Sequence, residues 1–458
     1  MTALPANNFV NDGGRTSGEM KTALNDIVKF LRERGGAGAG WVGLAGGGTV
    51  DLGAQTGRMY SLTGGPSVTS LGTTAPGDSF PFLIKVAART TFTRGANLQI
   101  QGLANNGDVL VLEIDDIIGA VWEGSNVWRV YVVSRASGQG ATSPSGLRNR
   151  VINGDFRIDQ RNAGASITIT AGAALLYGLD RWYLACTGAN ATAQQAISGG
   201  KARLLISGAS GVTGATVGQR IERQNSDDLA NGRASLSVDI QAVGSLTTVN
   251  YAVYHANTND AFGTIASPTR TLIASGPFTV STTEARYTVP NISIPSGATT
   301  GIEIVFSTGA LGSGNGFYLG NVQLEAGSFC TPFDRRPHGA ELALCQRYYE
   351  KSFDQNVKPA QATGIYSGAI TTLVAGSAFV GNALLTNRFK VEKRATPTIT
   401  AFNPRSGGTS NCMTDSAGTD TGATLNVAGT SGFMFYNSGG ALNANAYAYV
   451  HFTADAEL

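Results

Sequence analysis

The chain has 458 residues, and at about 150 residues per domain three domains are the starting expectation. Glycine supplies 61 of these residues, and charged residues make up only 14%. A formal net charge of +2 without any basic run excludes the usual electrostatic footprint of a nucleic-acid binder, and low charge with frequent aromatics excludes a disordered chain.

The opening segment, 1–34, differs from everything after it. Thr16-Ser17-Gly18-Glu19 reads as a capping box, in which the Thr hydroxyl and the Glu carboxylate satisfy opposite orphan N–H groups. The helix predicted behind it runs to about Arg34, where Gly35-Gly36 ends it. Met20, Leu24, Ile27 and Leu31 recur at four, three and four residues, the seam of a coiled coil. Two heptads are too short to hold alone. This helix therefore needs neighbours, either other copies of itself or a docking surface on a domain.

Residues 35–140 are predicted as a β domain behind a Gly-rich connector at 35–48. Strands are expected at Ser79–Ala87, Leu98–Gly102, Asp108–Ile114 and Asn126–Val133, with turn signals such as Pro76-Gly77-Asp78 between them. Residues 141–148 are expected as a linker, overlapping the small-residue run from Ser137 to Gly146.

Residues 149–337 alternate strongly. Leu236, Val238 and Ile240 are interleaved with Ser237, Asp239 and Gln241, and Ala202, Leu204 and Ile206 follow the same rule. Ile302, Ile304 and Phe306 mark a third such strand, and Val249, Tyr251 and Val253 a fourth. Period two with one polar face predicts antiparallel, half-buried sheets, arranged as a two-sheet sandwich or jelly roll.

Residues 338–458 open with a predicted helix, Ala340–Glu350, with Leu342, Cys345 and Tyr349 on one face. Strands are expected at Ile365–Leu373, Arg388–Val391, Thr398–Phe402, Gly432–Tyr436 and Ala446–Thr453. The Gly/Ser/Thr-rich stretch 405–431 is expected as loops.

Several of these segments resemble bacteriophage tail-fibre proteins. The opening residues up to Glu33 look like the N-terminal segment of such fibres. Asn153-Gly154-Asp155-Phe156, Asp180-Arg181-Trp182-Tyr183 and Asn321-Val322-Gln323-Leu324-Glu325 resemble the first, middle and last strands of their carbohydrate-binding jelly roll. Thr331-Pro332-Phe333, Leu344-Cys345-Gln346-Arg347-Tyr348-Tyr349, Ala395-Thr396-Pro397-Thr398 and the closing Phe452–Leu458 follow in the same order. The resemblance implies a mainly β, multidomain fibre with an N-terminal helix, a β domain, a jelly-roll sandwich and a C-terminal β tip. It implies a homotrimeric virion component, attached to tail or baseplate proteins through its N-terminus. Its other end would bind a host bacterial surface glycan during adsorption. It also places Trp182 in the core.

No enzyme is expected. No GxSxG, HExxH or Walker loop occurs, and His255, His338 and His451 are far apart in sequence. Asp155, Asp159, Asp180, Glu222, Asp239 and Glu303 could furnish a glycosidase pair, but their spacing selects none. A polysaccharide-degrading tailspike and a purely architectural fibre are the alternatives. Sugar binding needs flat rings with short polar groups beside them. The candidates are Tyr251, Tyr254 and His255 on one strand, and Tyr436, Tyr447 and Tyr449 near the C-terminal loops. Tyr251 and Tyr254 should point to opposite faces. Tyr447 and Tyr449 alternate with Ala446 and Ala448, giving an aromatic face that serves either receptor contact or an intersubunit core.

No cofactor is expected beyond a structural Ca²⁺. Similar jelly rolls hold one between first and last strands, where Asp155 and Asn321 stand here. Cys186, Cys330, Cys345 and Cys412 show no zinc spacing and read as free thiols. No 18-residue apolar run occurs, so membrane insertion is not expected. The first residues show no basic stretch ahead of an apolar one. Synthesis in a host bacterial cytoplasm and a final place in the virion tail are expected.

Overall fold

The computed structural model describes residues 41–458 except 56–58, 64–66, 78–80, 102, 104–105, 135–147, 173–174, 361–363, 375–380 and 382. The heptad residues Met20, Leu24, Ile27 and Leu31, and most of the expected linker, lie outside the described residues. The chain is mainly β, as its composition implies. It divides into two compact units, the first ending at Ser143 and the second running from Pro144 to Leu458.

The first unit holds strands β1 (Val42–Ala45), β2 (Met59–Thr63), β3 (Ser67–Val68), β4 (Phe82–Val86) and β5 (Thr90–Thr93). They are followed by β6 (Leu98–Ile100), β7 (Val109–Leu112), β8 (Ile117–Gly124) and β9 (Val127–Ser134). β1, β2 and β4 stack in parallel, with Val42 opposite Tyr60 and Tyr60 opposite Ile84. β3 and β5 stack in parallel beside them. Tyr60, Leu62, Phe82, Ile84 and Val86 point inward around Trp128, which is fully buried. Trp128 packs edge-on to Phe82 at 5.5 Å, and its indole N–H donates to the Gly72 carbonyl at 3.1 Å.

The second unit begins with two six-stranded antiparallel sheets. Its strands are β10 (Ile167–Ile169), β11 (Leu176–Leu179), β12 (Trp182–Thr187), β13 (Ala191–Ser198), β14 (Lys201–Ser207) and β15 (Gly214–Ile221). β16 (Arg233–Val243), β17 (Thr248–Ala256), β18 (Arg270–Thr279), β19 (Ala285–Ser293), β20 (Ile302–Thr308) and β21 (Gly316–Ala326) complete them. One sheet has the order β10-β13-β14-β21-β16-β19, the other β11-β12-β15-β20-β17-β18. The alternating residues Leu204, Ile206, Leu236, Val238, Ile240, Ile302, Ile304 and Phe306 fill the layer between them, a jelly-roll-like sandwich. Trp182 is fully buried there and donates to the Asn153 carbonyl at 2.9 Å.

Helix α1 spans His338–Gln346. It is shorter than the periodicity implies, because Tyr349 leaves it to pair with Asp455 in β22 (Tyr349–Lys351). Then come β23 (Ile370–Leu373), β24 (Leu384–Arg388), β25 (Thr398–Phe402), β26 (Met413–Asp415) and β27 (Asp420–Thr421). β28 (Ala423–Ala428), β29 (Gly432–Asn437) and β30 (Tyr447–Asp455) close the chain. Three expectations fail here. The strand expected from Ile365 begins only at Ile370, because the Ala369 N–H turns back to the Tyr366 carbonyl at 3.1 Å. The next strand lies at Leu384–Arg388 rather than 388–391, because Leu385 enters the core opposite Phe435. The stretch 405–431 holds three strands, since Met413 and Ala423 supply enough inward apolar surface despite their small, polar neighbours.

β30 is the central strand of this second sandwich. β22 and β23 line one side of it, and β25 and β26 the other. Ala448, Val450, Phe452 and Ala454 face a core shared with Phe433 and Phe435 of the β24-β29-β28 sheet.

Candidate functional site

The three candidates on β17 are placed differently. Tyr251 stands opposite Gly276, and a Cβ there would lie 3.0 Å from its ring. The ring stacks on Phe278 at 4.9 Å, and Phe278 meets Tyr287 at 5.2 Å. Tyr254 lies on the other face, as the alternation implies, with the Arg270 guanidinium 4.2 Å above its ring. His255 sets Nδ1 3.0 Å from the Ala256 carbonyl at the end of the strand.

The face that carries Tyr254 is filled by the chain itself. Glu303 pairs with Arg270, with Arg220 at 3.0 Å and with the Tyr183 hydroxyl at 2.8 Å. Arg220 also donates to the Leu458 carbonyl at 3.0 Å and to that of Gly263 at 2.7 Å. Arg181 pairs with Glu457, and Arg161 bonds Asp455 at 2.7 Å and Glu457 at 3.2 Å. Burial works against the charge on Arg161, yet Asp455 and Glu457 overcome it and raise its pKa. These bonds dock the last residues of the chain on the jelly roll. Tyr183, Arg220 and Glu303 are buried.

The carboxylates weighed for hydrolysis are similarly engaged. Asp155 pairs with Arg157 and, at 3.4 Å, Arg335. Asp159 accepts the N–H groups of Asn162 and Gly164, and Asp180 accepts two bonds from Gln160. Glu222 binds Arg347 at 3.2 Å, and Asp239 binds Arg286 at 2.9 Å. Asn321 donates to Asp239 at 2.6 Å rather than turning to Asp155. A lone carboxylate facing two guanidinium groups suits an ion pair and not Ca²⁺. Among the described residues, no group of three His, Cys, Asp or Glu could hold a metal. The four cysteines are free, with Cys186, Cys345 and Cys412 buried.

The C-terminal sandwich brings two candidates together and adds one that sequence reasoning missed. Tyr447 and Tyr449 occupy successive outward positions of β30, and Tyr447 is 54% exposed. Tyr366, 40% exposed, meets Tyr449 edge-on at 5.1 Å. Leu373 stands opposite Tyr447 and is exposed. A polar row crosses the sheet at Tyr449: Thr371 lies on one side, then Thr414 and, beyond it, Asp420 on the other. Arg405 pairs with Asp420 at 3.3 Å. Thr414 Oγ1 and Asp420 Oδ1 are buried without a hydrogen-bond partner. Leaving such atoms unmet costs about 1–3 kcal/mol each.

Asp415 fixes the loops at the rim. It accepts the N–H groups of Ala417 and Thr419 on one oxygen, and both the backbone and side-chain N–H of Asn443 on the other. Burial pushes its carboxyl up, but these donors win and hold its pKa below the ordinary value. The adjacent Ser416 bonds Tyr447 through both its N–H and its hydroxyl.

Tyr436 is not part of this patch. It lies between Leu384 and Thr424 on the outer surface of the other sheet, with the core between.

No protein-family model and no curated protein matches the chain. Solved structures are similar to part of it. One is a family 4 carbohydrate-binding module, 16% identical, covering 38% of this chain and 97% of that one, with a TM-score of 0.24. Another is the C-terminal family 22 carbohydrate-binding module of Clostridium thermocellum Xyn10B, at 13% identity, 39% and 97% coverage and a TM-score of 0.23. A cyclase from Fischerella, at 15% identity, covers 41% of this chain and 100% of that one, with a TM-score of 0.26. At these values no ligand and no site residue carries over. Among the described residues, no helix is long and apolar enough to cross a membrane.

Proposed function

We propose that this chain is a structural virion protein of the bacteriophage tail-fibre type that binds a host bacterial surface glycan through its C-terminal sandwich. The observation that carries the binding assignment is the row of Tyr366, Tyr449 and Tyr447, with Tyr366 and Tyr447 exposed and Tyr449 half-buried, beside the exposed Thr371. Aromatic faces cover the apolar side of a sugar ring, and an exposed short hydroxyl such as that of Thr371 answers its hydroxyls. The phage assignment, with attachment to tail or baseplate through residues 1–34, is supported by the ordered sequence resemblance. The homotrimer rests on the same resemblance, with the Met20–Leu31 seam supporting self-association, and its three weak sites would gain by avidity.

The jelly roll acts in this reading as a spacer. Its Tyr183–Arg220–Glu303 face is occupied by the docked chain end, which favours an architectural role for that domain. The chain binds polysaccharide without cleaving it.

Calorimetric titration with polysaccharide from a susceptible host tests the assignment. Binding is expected, with a loss of about tenfold, or about 1.4 kcal/mol, in Tyr449→Ala. Release of reducing ends would make the protein an enzyme instead. Light scattering should give three times the 47.3 kDa chain mass, and a monomer would defeat the trimer.

A further inference from the structure

One imidazole behind the aromatic patch holds two separated parts of the chain at once. His451 lies on the outward face of β30, two positions from Tyr449, and is fully buried. The Ser352 hydroxyl donates to its Nδ1 at 2.7 Å, and its Nε2–H donates to the Ile365 carbonyl at 2.9 Å. A carbonyl can only accept, so Nε2 carries a proton, and in the neutral ring that burial favours Nδ1 is then the acceptor. Ser352 Oγ accepts the Phe452 N–H at 2.9 Å. Phe353 stacks on the imidazole at 3.9 Å and 15°. The residue after Ile365 is Tyr366, whose ring meets Tyr449.

We propose that His451 is the positioning residue of the aromatic patch, setting Tyr366 against Tyr449 by holding Ser352 and Ile365 together, and that it makes ligand capture there pH-dependent. This rests on the glycan-binding reading of the patch. A proton on Nδ1 turns the Ser352 hydroxyl from donor to acceptor, leaves its own proton only the Phe452 carbonyl at 3.5 Å, and places a charge in a buried site. Lifting the covering segment relieves that cost.

The surroundings decide the direction. Burial lowers the His451 pKa, against the Ile365 carbonyl and Asp354, which raise it. Lys351 on β22 is also fully buried, with its ammonium on the carbonyls of Gln355 at 3.1 Å and Val357 at 2.6 Å. Phe402 of β25, opposite His451, carries no charge. The Arg405 guanidinium beyond it is spent on Asp420 and the Gly418 carbonyl. The stacked Phe353 ring would return part of the cost through a cation–π contact. The folded pKa is below the unfolded one. The closed arrangement is thus fully held above the ordinary imidazole value of about 6.5 and is lost as pH falls below it.

The test compares wild type, His451→Gln and Ser352→Ala as full chains, at about pH 7.5 and about pH 5. Affinity for host polysaccharide is measured by calorimetry. Backbone hydrogen exchange of residues 352–360 and 364–374 is measured beside it, corrected for intrinsic rates. Wild type should bind about tenfold more weakly at the lower pH, with faster exchange in both stretches. His451→Gln keeps a donor and an acceptor without titrating, so its affinity should not depend on pH. Ser352→Ala should exchange faster at both pH values. Unchanged wild-type exchange at low pH, or an equal loss of affinity in His451→Gln, would overturn the proposal. If no polysaccharide binds at either pH, the glycan reading fails. The exchange data alone then decide whether His451 holds the segment.

Discussion

Arg161 and Asp455 are 294 positions apart in sequence, and their side chains meet at 2.7 Å. With the Arg181–Glu457 pair and the Arg220 bond to the Leu458 carbonyl they bind the last residues of the chain to the jelly roll, where Glu303 in turn pairs with Arg220. Arg181, Glu457 and Glu303 have side chains no more than 3% exposed. Removing one partner strands a buried charge.

Glu457→Ala should therefore lower the stability of the second unit by about 3–5 kcal/mol. Replacing Arg181 and Glu457 together with Met should cost much less, because no charge is left unpaired. Urea denaturation of both variants checks this. Equal losses would mean that the pair itself, rather than its isolation, sets the energy.

Asp180 reverses the usual carboxylate behaviour. Burial, opposed by Arg161 and the Gln160 hydrogen bonds, raises its pKa from 3.8 to about 6. The folded value is above the unfolded one. Its stabilising contribution is thus complete below the unfolded pKa and is lost as pH rises through about 6. The span amounts to about 3 kcal/mol. Asp180→Asn should remove this slope between pH 3.8 and about 6, measured as the urea midpoint against pH. An unchanged slope would show that Asp180 is not its source.

Gly218 lets the Tyr183 ring lie across the sheet. The two residues are register partners, and a Cβ on Gly218 would fall 2.3 Å from the ring. Gly218→Ala should cost about 1–3 kcal/mol by overpacking, read from thermal unfolding. A neutral result would mean that the ring moves freely.

The sandwich of the jelly roll was legible because its strands alternate without interruption, as at Leu236, Val238 and Ile240. Pairing was not. The parallel stacking of Val42, Tyr60 and Ile84 leaves no local periodicity, since it joins residues through turns of different length. The same holds for Arg161 and Asp455, which only the fold brings together. At the candidate site, Tyr447 and Tyr449 showed themselves by alternating with Ala446 and Ala448. Tyr366 did not, because it fell in a stretch read as strand that the fold leaves irregular, and only the fold brings it to Tyr449. Thr414 was hidden in a Gly/Ser/Thr-rich stretch read as loop.

Two faces of the C-terminal sandwich carry tyrosines, and only one is proposed to bind. Tyr436→Ala should leave glycan affinity unchanged, whereas Tyr366→Ala should weaken it, both by calorimetry. Equal effects would move the site off the β30 face.

Glycan capture by Tyr447 and Tyr449 is tested most directly by adsorption of the purified protein to host cells. Wild type and the Tyr447→Ala/Tyr449→Ala variant, matched in thermal stability, would be compared by fluorescence. Adsorption should fall by about tenfold or more in the variant. Undiminished adsorption would contradict the assignment of this face.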